Sequence, residues 1–432
     1  MSEITKTIRF VPFHKSADTF KKHADAGIRH AISEGRMTEQ DADLIDEFVS
    51  EVVNTSNLGE KRIYKITNGL SNSIRYFKTP LSNMKMSDVN KGFNGLRTAK
   101  GLRRVRDGFY EDGSVKTKLV ETGKDLSDNT KSDYMLFMKR FIIWLIDEGY
   151  CDLPKGKIEA IKPVKPKKVT KSANDLLTKQ QIQDMINACT NSRDRALIAT
   201  LYEGAFRVGE IGLMTWKDLD FSDPNFITAN TDFKTGIPRY IPLHTARPYL
   251  IRWKNDYLVE PEGDMPVFLS QFYTNLTYRA IKSQLDIIAK KAGIKKHITP
   301  HIFRHSRITH MIRDGWSDSI VKSVAWGNLE TGMFKTYVHL TNNDIISEAR
   351  RRHGIEESEN EDDDTLKPRQ CGRCLALNTP TDNFCSVCGN PLTEEVAADL
   401  ESMKNEIHSD ERFLKIIHEL ETKIENLKAA IL

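Results

Sequence analysis

Between residues 154 and 171 the chain carries seven lysines and one glutamate, interleaved with Pro154, Pro163 and Pro166. Lysine mixed with proline favours an extended, semi-rigid backbone that buries little apolar surface. The stretch therefore predicts a linker, and it divides the 432 residues into bodies that must each find their own core. A second break, EESENEDDD at 356–364, has the composition of a flexible spacer. The expected organisation is a polar lead (1–35) with a candidate helix from Ala17 to Ile32, a helical domain (36–153), the basic linker (154–171), a large unit (172–353), an acidic spacer (354–367), a cysteine-rich module (368–393) and a charged helical tail (394–432). The fold class this predicts is α+β, mostly α.

Charge is unevenly distributed. Residues 356–432 hold 8 Lys/Arg against 18 Asp/Glu, which leaves 56 against 42 in residues 1–355. A basic body with an acidic tail points to a polyanionic partner for the body. The run Arg97, Lys100, Arg103, Arg104 and Arg106 points the same way, although a solvated loop would have the same composition. The longest apolar run is six residues, Phe141 to Ile146, against roughly 20 for a membrane span. The start lacks an apolar signal segment, so a cytoplasmic location with no membrane contact is expected.

Helical spacing organises residues 36–153. Thr38 is the expected cap of a helix with Leu44, Ile45, Phe48, Val52 and Val53 on one face. Further helices are expected over 60–76, around 86–96 and after Ser127, where Tyr134, Phe137, Met138, Phe141, Ile142 and Leu145 recur up to Gly149. This domain reads as all-helical. In the large unit, Thr178 caps one helix and RDRALIATLYEG forms a buried one. FITANTDF and RYIPLH flank a turn at Lys234 as two short strands, and helices return over 276–292 and after Pro300.

Four segments of that unit bear on chemistry together. YEGAFRVGEI places Arg207 and Glu210 just beyond the buried helix, and FKTGIPRYIPL places Lys234 at the turn. HIFRHS puts His301 and Arg304 on one helical face, and FKTYVHL supplies Tyr337. Two arginines can clamp a phosphodiester and neutralise developing charge. A tyrosine hydroxyl can attack phosphorus, a lysine can protonate the leaving oxygen, and a histidine can assist the nucleophile. Each residue alone has an ordinary structural explanation: a satisfied ion pair for Arg207 with Glu210, a plain hairpin for the KTG turn, a core tyrosine.

In this order the segments resemble the catalytic domain of the tyrosine recombinases, the phage-type integrases. EGAFRVGEI matches the family's first box, Lys234 precedes Arg239 of RYIPL by the family's five residues, His301 and Arg304 match its His-x-x-Arg box, and Tyr337 is followed by His339. The resemblance covers about 36–353, with the helical domain as the family's core-binding, DNA-binding module. It implies Arg207, Lys234, His301, Arg304 and Tyr337 as catalytic residues and a 3′-phosphotyrosyl intermediate. It also implies cleavage without a metal, double-stranded DNA as substrate held in a C-shaped clamp, and a homotetramer on two sites. One position departs. Nine residues before the nucleophile the family usually has His, sometimes Trp; here it is Asn328, with Trp326 two residues earlier. Asn328 is taken as the sixth catalytic residue because its amide can donate to a phosphate oxygen. The resemblance implies a site-specific DNA recombinase or integrase. A catalytically weakened DNA-binding regulator or nucleoid organiser, and a type IB-like topoisomerase, are the alternatives.

Cys371, Cys374, Cys385 and Cys388 form two CxxC pairs. Four thiolates so spaced suit one tetrahedral structural Zn2+, and the stretch resembles a short zinc ribbon. A pair of redox motifs is the other reading. A ribbon appended to this enzyme type points to an archaeal or archaeal-virus setting. The tail places Val396, Leu400, Met403 and Ile407, then Phe413, Ile417, Leu420, Ile424, Leu427 and Ile431, at steps of four and three. That is a coiled-coil seam, and its rival is a helix packed on the body. Ribbon and coiled coil are each candidate contacts for a protein partner.

Overall fold

The computed structural model describes residues 8–13, 16–109, 115–165, 175–231, 238–336, 350, 365–409, 415–416, 418–420 and 422–423. Contacts gather into two units, Lys15–Val169 and a larger one of Met1–His14 with Thr170–Leu432. Secondary structure is mostly helical, with small sheets.

The smaller unit contains α1 (Ala17–Ser33), α2 (Glu39–Thr55), α3 (Glu60–Ser73), α4 (Met86–Arg97), β1 (Lys100–Phe109), β2 (Val115–Asp125), α5 (Asp128–Asp147) and α6 (Lys155–Glu159). Capping sets its helix starts. Thr38 Oγ1 accepts the Asp41 amide at 3.1 Å while the Asp41 carboxylate accepts the Thr38 amide at 3.1 Å. The same buried carboxylate accepts the Leu81 amide at 2.7 Å, tying α2 to a distant turn. Ser127 caps α5. The apolar faces of α2 and α5 meet through Phe48, Phe141 and Trp144, with centroids 5.1–5.9 Å apart.

Three expectations need correction. The helical domain is not all-helical, because β1 and β2 pair antiparallel as a hairpin. Its basic stem alternates poorly, because register shifts interrupt the pairing at both ends, so no clean two-residue period marks it in the sequence. The 1–35 lead is not one segment. α1 packs on α3 in the smaller unit, while residues 8–13 add to the larger one. There the Arg9 amide donates to the Tyr273 carbonyl and the Val11 amide to Asn275 Oδ1. Phe13 is buried against Gly212, where a Cβ would fall 2.0 Å from its ring. Nor is 154–171 wholly extended. Residues 155–159 form α6, whose Ile158 is fully buried in the smaller unit's core. One apolar residue per turn was enough to dock what the lysines disguised.

The larger unit contains α7 (Lys179–Asn187), α8 (Ser192–Glu203), α9 (Val208–Leu213), β3 (Leu219–Asp220), β4 (Ile227–Thr231), β5 (Arg239–Leu243), α10 (Arg247–Asn255), α11 (Tyr278–Lys291), α12 (Pro300–Arg313), α13 (Asp318–Trp326), β6 (Arg369–Gln370), β7 (Leu377–Asn378) and α14 (Glu394–Ser409). Thr178 caps α7 with Gln181, and α8 is the buried centre. β3-β4-β5 form an antiparallel sheet, one strand more than the sequence indicates. Ile227 pairs with Leu243 and Ala229 with Ile241, all inward. The buried Glu203 carboxylate accepts the amides of His244, Thr245 and Ala246, which fixes the start of α10. The 354–367 spacer also needs amending at its end, since Leu366 is buried in this unit's core. No helix among the described residues is long and apolar enough to cross a membrane.

Candidate active site

α8 ends at Glu203, and the chain turns through Ala205, whose φ is +45°. That turn delivers Arg207 to the start of α9. The Arg207 amide donates to Glu210 Oε2 at 2.6 Å and its guanidinium Nη1 to Oε1 at 2.8 Å. One carboxylate thus caps the helix and aims the side chain. Glu210 is 3% exposed, and its Oε2 also accepts Arg239 Nη2 at 2.5 Å. Arg239, equally buried, donates Nη1 to the carbonyls of Val324 and Ala325 at 2.6 and 3.1 Å. Burial lowers its pKa from the ordinary value, and the Glu210 charge opposes that drop.

Arg304, in the second turn of α12, closes the ring. Its Nη1 donates to the Ala205 carbonyl and its Nη2 to the Ala325 carbonyl, both at 2.6 Å. Its guanidinium lies 5.4 Å from the ring centroid of Trp326, the last residue of α13. Arg207, Glu210, Arg239 and Arg304 therefore form one continuous network. It joins the α8–α9 turn, β5, α12 and the end of α13. Three guanidiniums against one carboxylate leave an electropositive cluster, which attracts anions.

Of the other expected residues, His301 and Asn328 are described. His301 is exposed in the first turn of α12, three residues before Arg304 and on the same helical face. Asn328 is exposed just beyond Gly327, whose φ of +69° ends α13, and its Oδ1 accepts the Glu330 amide at 2.8 Å. Lys234, between β4 and β5 in chain order, and Tyr337 lie outside the described residues. Arg239 carries a role that the motif reading did not assign to it. The signal was available: it shares its side of β5 with buried Ile241 and Leu243, while Tyr240 points outward.

Residues 175–344 match the family model described as the phage integrase family. That segment is a phage integrase domain. Similar curated proteins include transposase A from transposon Tn554 of Staphylococcus aureus, 28% identical over 45% of this chain and 56% of that protein. Tyrosine recombinase XerC of Oceanobacillus iheyensis is 25% identical over 60% of this chain and 86% of its own length. The chain thus spans about half the length of the first of these relatives. Among solved structures, lambda integrase bound to DNA aligns with 14% identity and a TM-score of 0.49 over 70% of this chain and 97% of that one. The four-residue network lies wholly inside the segment that matches the phage integrase family.

Outside that domain, the sulfurs of Cys371, Cys374, Cys385 and Cys388 all lie within 4.8 Å of one another. Cys371 and Cys388 are 3.6 Å apart, and Cys374 and Cys385 3.5 Å. Tetrahedral zinc with Zn–S near 2.3 Å separates its sulfurs by about 3.8 Å, so the quartet fits such an ion. Each knuckle is closed by a backbone bond, Leu375 amide to Cys371 carbonyl and Gly389 amide to Cys385 carbonyl, both 2.9 Å. Buried Asn378 Oδ1 accepts the amide and hydroxyl of Ser386, pinning β7 to the second knuckle. Asp382 accepts Arg252 of α10 at 2.5 Å, which seats the module on the larger unit.

Proposed function

We propose that this chain is a site-specific DNA recombinase that cuts and rejoins strands through a 3′-phosphotyrosyl intermediate. The observation that carries the reading is the buried network that holds Arg207 and Arg304 together. Glu210, Arg239 and two backbone carbonyls fix both guanidiniums, so they need not reorganise as charge develops on the phosphate. In the reaction, the Tyr337 oxygen forms a bond to phosphorus as the bond to the 5′ oxygen breaks. His301 takes the tyrosine proton, and Lys234 gives one to the leaving oxygen. A 5′ hydroxyl of a partner strand reverses these steps. Replacing Arg207 or Arg304 by Ala should slow cleavage by about 10²–10³-fold; single-turnover rates measure this, and unchanged rates remove that arginine from the clamp.

The experiment that tests the reading incubates the full chain with a pool of randomised duplexes, each carrying a central nick. Cleavage beside the nick releases a short fragment, so religation fails and protein joined to labelled DNA accumulates on a denaturing gel. Absence of any joined species overturns the proposal.

Asn328 takes the remaining phosphate contact through its Nδ2, with Oδ1 engaged in the turn. Asn328→Asp keeps the acceptor and loses the donor, so cleavage should fall about 10²-fold at unchanged melting temperature, while Asn328→His stays active. Equal rates for Asn328→Asp and the parent chain would refute the contact.

The cysteine module holds one structural zinc, which supplies the fold that some 25 residues cannot obtain from a core of their own. Elemental analysis should find about one zinc per chain, and none after Cys385→Ser with Cys388→Ser; zinc retained by that variant would contradict the assignment. The apolar positions Val396, Leu400 and Met403 of α14 remain partly or fully exposed, which supports a coiled-coil contact with another protomer. The working form is then a homotetramer on two DNA sites.

A further inference from the structure

The β1–β2 hairpin has no role in the network around Arg304, and none of its described side chains is buried. Its strands of 10 and 11 residues extend roughly 33 Å at about 3.3 Å per residue. Its described ties to the rest of the unit lie toward the base, and on the stem Lys118 pairs with Asp107 at 2.8 Å. The Leu126 amide bonds the Ala99 carbonyl at 2.9 Å, Lys100 pairs with Asp125 at 2.6 Å, and Arg104 pairs with Glu34 at 2.9 Å. A lone two-stranded ribbon is marginal in water, so an element this long, with α1 beside only one face of its base, calls for a partner.

The partner's chemistry follows from charge. The two strands carry seven Lys/Arg against three Asp/Glu. Glu111 and Asp112 stand in the 110–114 segment that joins the strands, so the charge that favours phosphate lies on the stem rather than at the end. Arg104 and Leu119 face α1, since one bonds Glu34 and the other lines a cleft there. By alternation Arg103, Val105, Lys118 and Val120 face away from it. Arg106 lies across the Phe109 ring at 4.1 Å. Register shifts near both ends, with Gly108 at φ +97° and Gly123 at φ +73°, coil the ribbon. The cleft at its base, about 380 Å³, is lined by His23, His30, Arg36, Tyr64, Asn68 and Arg104 among others. Burial, then the Arg104 charge, holds the His30 imidazole below its ordinary pKa, and Glu34, which pairs with both Arg36 and Arg104, opposes that drop.

We propose that this hairpin is an accessory contact for duplex DNA, with its stem following a groove and the cleft beside α1 receiving backbone phosphate. A two-stranded ribbon fits the major groove, which is about 12 Å wide. The inference deepens the recombinase reading and rests on it for the identity of the polyanion.

The test uses the full chain and a duplex enriched from the nicked pool, with binding followed by fluorescence anisotropy from low to high salt. Replacing Arg103 and Arg106 together by Gln should weaken Kd roughly tenfold at 0.1 M salt and make the log K against log salt slope shallower by about 2. Melting and circular dichroism should not change. A photocrosslinking amino acid in place of Val105 should join the DNA strand. Unaltered affinity and slope, or crosslinks only to a second protein chain, would overturn the hairpin assignment while leaving the recombinase reading intact. A parent chain that binds no duplex would overturn both.

Discussion

Replacing Glu210 by Ala should destabilise the larger unit by about 3–5 kcal/mol, the usual penalty for stranding one charge of a buried pair, and should reduce strand cleavage below detection. Arg239 is 3% exposed and Glu210 is its one carboxylate partner among the described ion pairs. Without that carboxylate, a desolvated guanidinium keeps only carbonyl acceptors. Arg207 loses both the cap of its helix and the anchor of its side chain in the same change. With total stabilities near 5–15 kcal/mol, a loss of this size is visible as an early unfolding transition in urea. The variant with Gln at 210 and Met at 239 separates the two effects. An uncharged, volume-matched pair should recover much of the stability, yet leave cleavage slow because Arg207 is no longer aimed. Full cleavage by that variant would show that the network is only structural.

Much of the helical architecture was legible because capping and periodicity are local. Thr38, Ser127 and Thr178 each carry a side-chain cap. Phe48, Phe141, Ile142 and Leu145 are all buried where a 3.6-residue period placed them. What escaped depends on partners distant in sequence. β1 is a strand because it pairs with β2 from Lys100 opposite Asp125 to Phe109 opposite Val115, and nothing within RRVRD alone announces that. α6 looked like linker because three lysines surround the single inward Ile158. Residues 8–13 looked like lead because their contacts, Tyr273, Asn275 and Gly212, lie some 200 or more positions away. In the candidate site, Arg207 and Arg304, singled out from their motifs, meet in one network, while His301 is exposed beside it on α12. The part Arg239 plays was not legible, because a buried arginine can be recognised only once Glu210 and the end of α13 are seen around it.

The second large effect concerns Tyr337. Phenylalanine in its place removes one oxygen and nothing else, so the arginine network and the DNA-contacting surfaces should keep their geometry. Affinity for duplex should stay within about twofold, since no phosphate-binding cation is lost. Covalent joining should vanish entirely, because the proposed mechanism takes its attacking oxygen from Tyr337. A water molecule lacks the fixed in-line position given to the tyrosine oxygen, so strand nicking should disappear with it.

The central claim is that this chain joins itself to DNA through Tyr337, and peptide mass spectrometry of the covalent complex tests it most directly. After digestion of protein and DNA, the account predicts a nucleotide remnant linked through its 3′ phosphate to the Tyr337 peptide, and no such complex from Tyr337→Phe. A remnant on any other side chain, or undiminished joining by Tyr337→Phe, would contradict it.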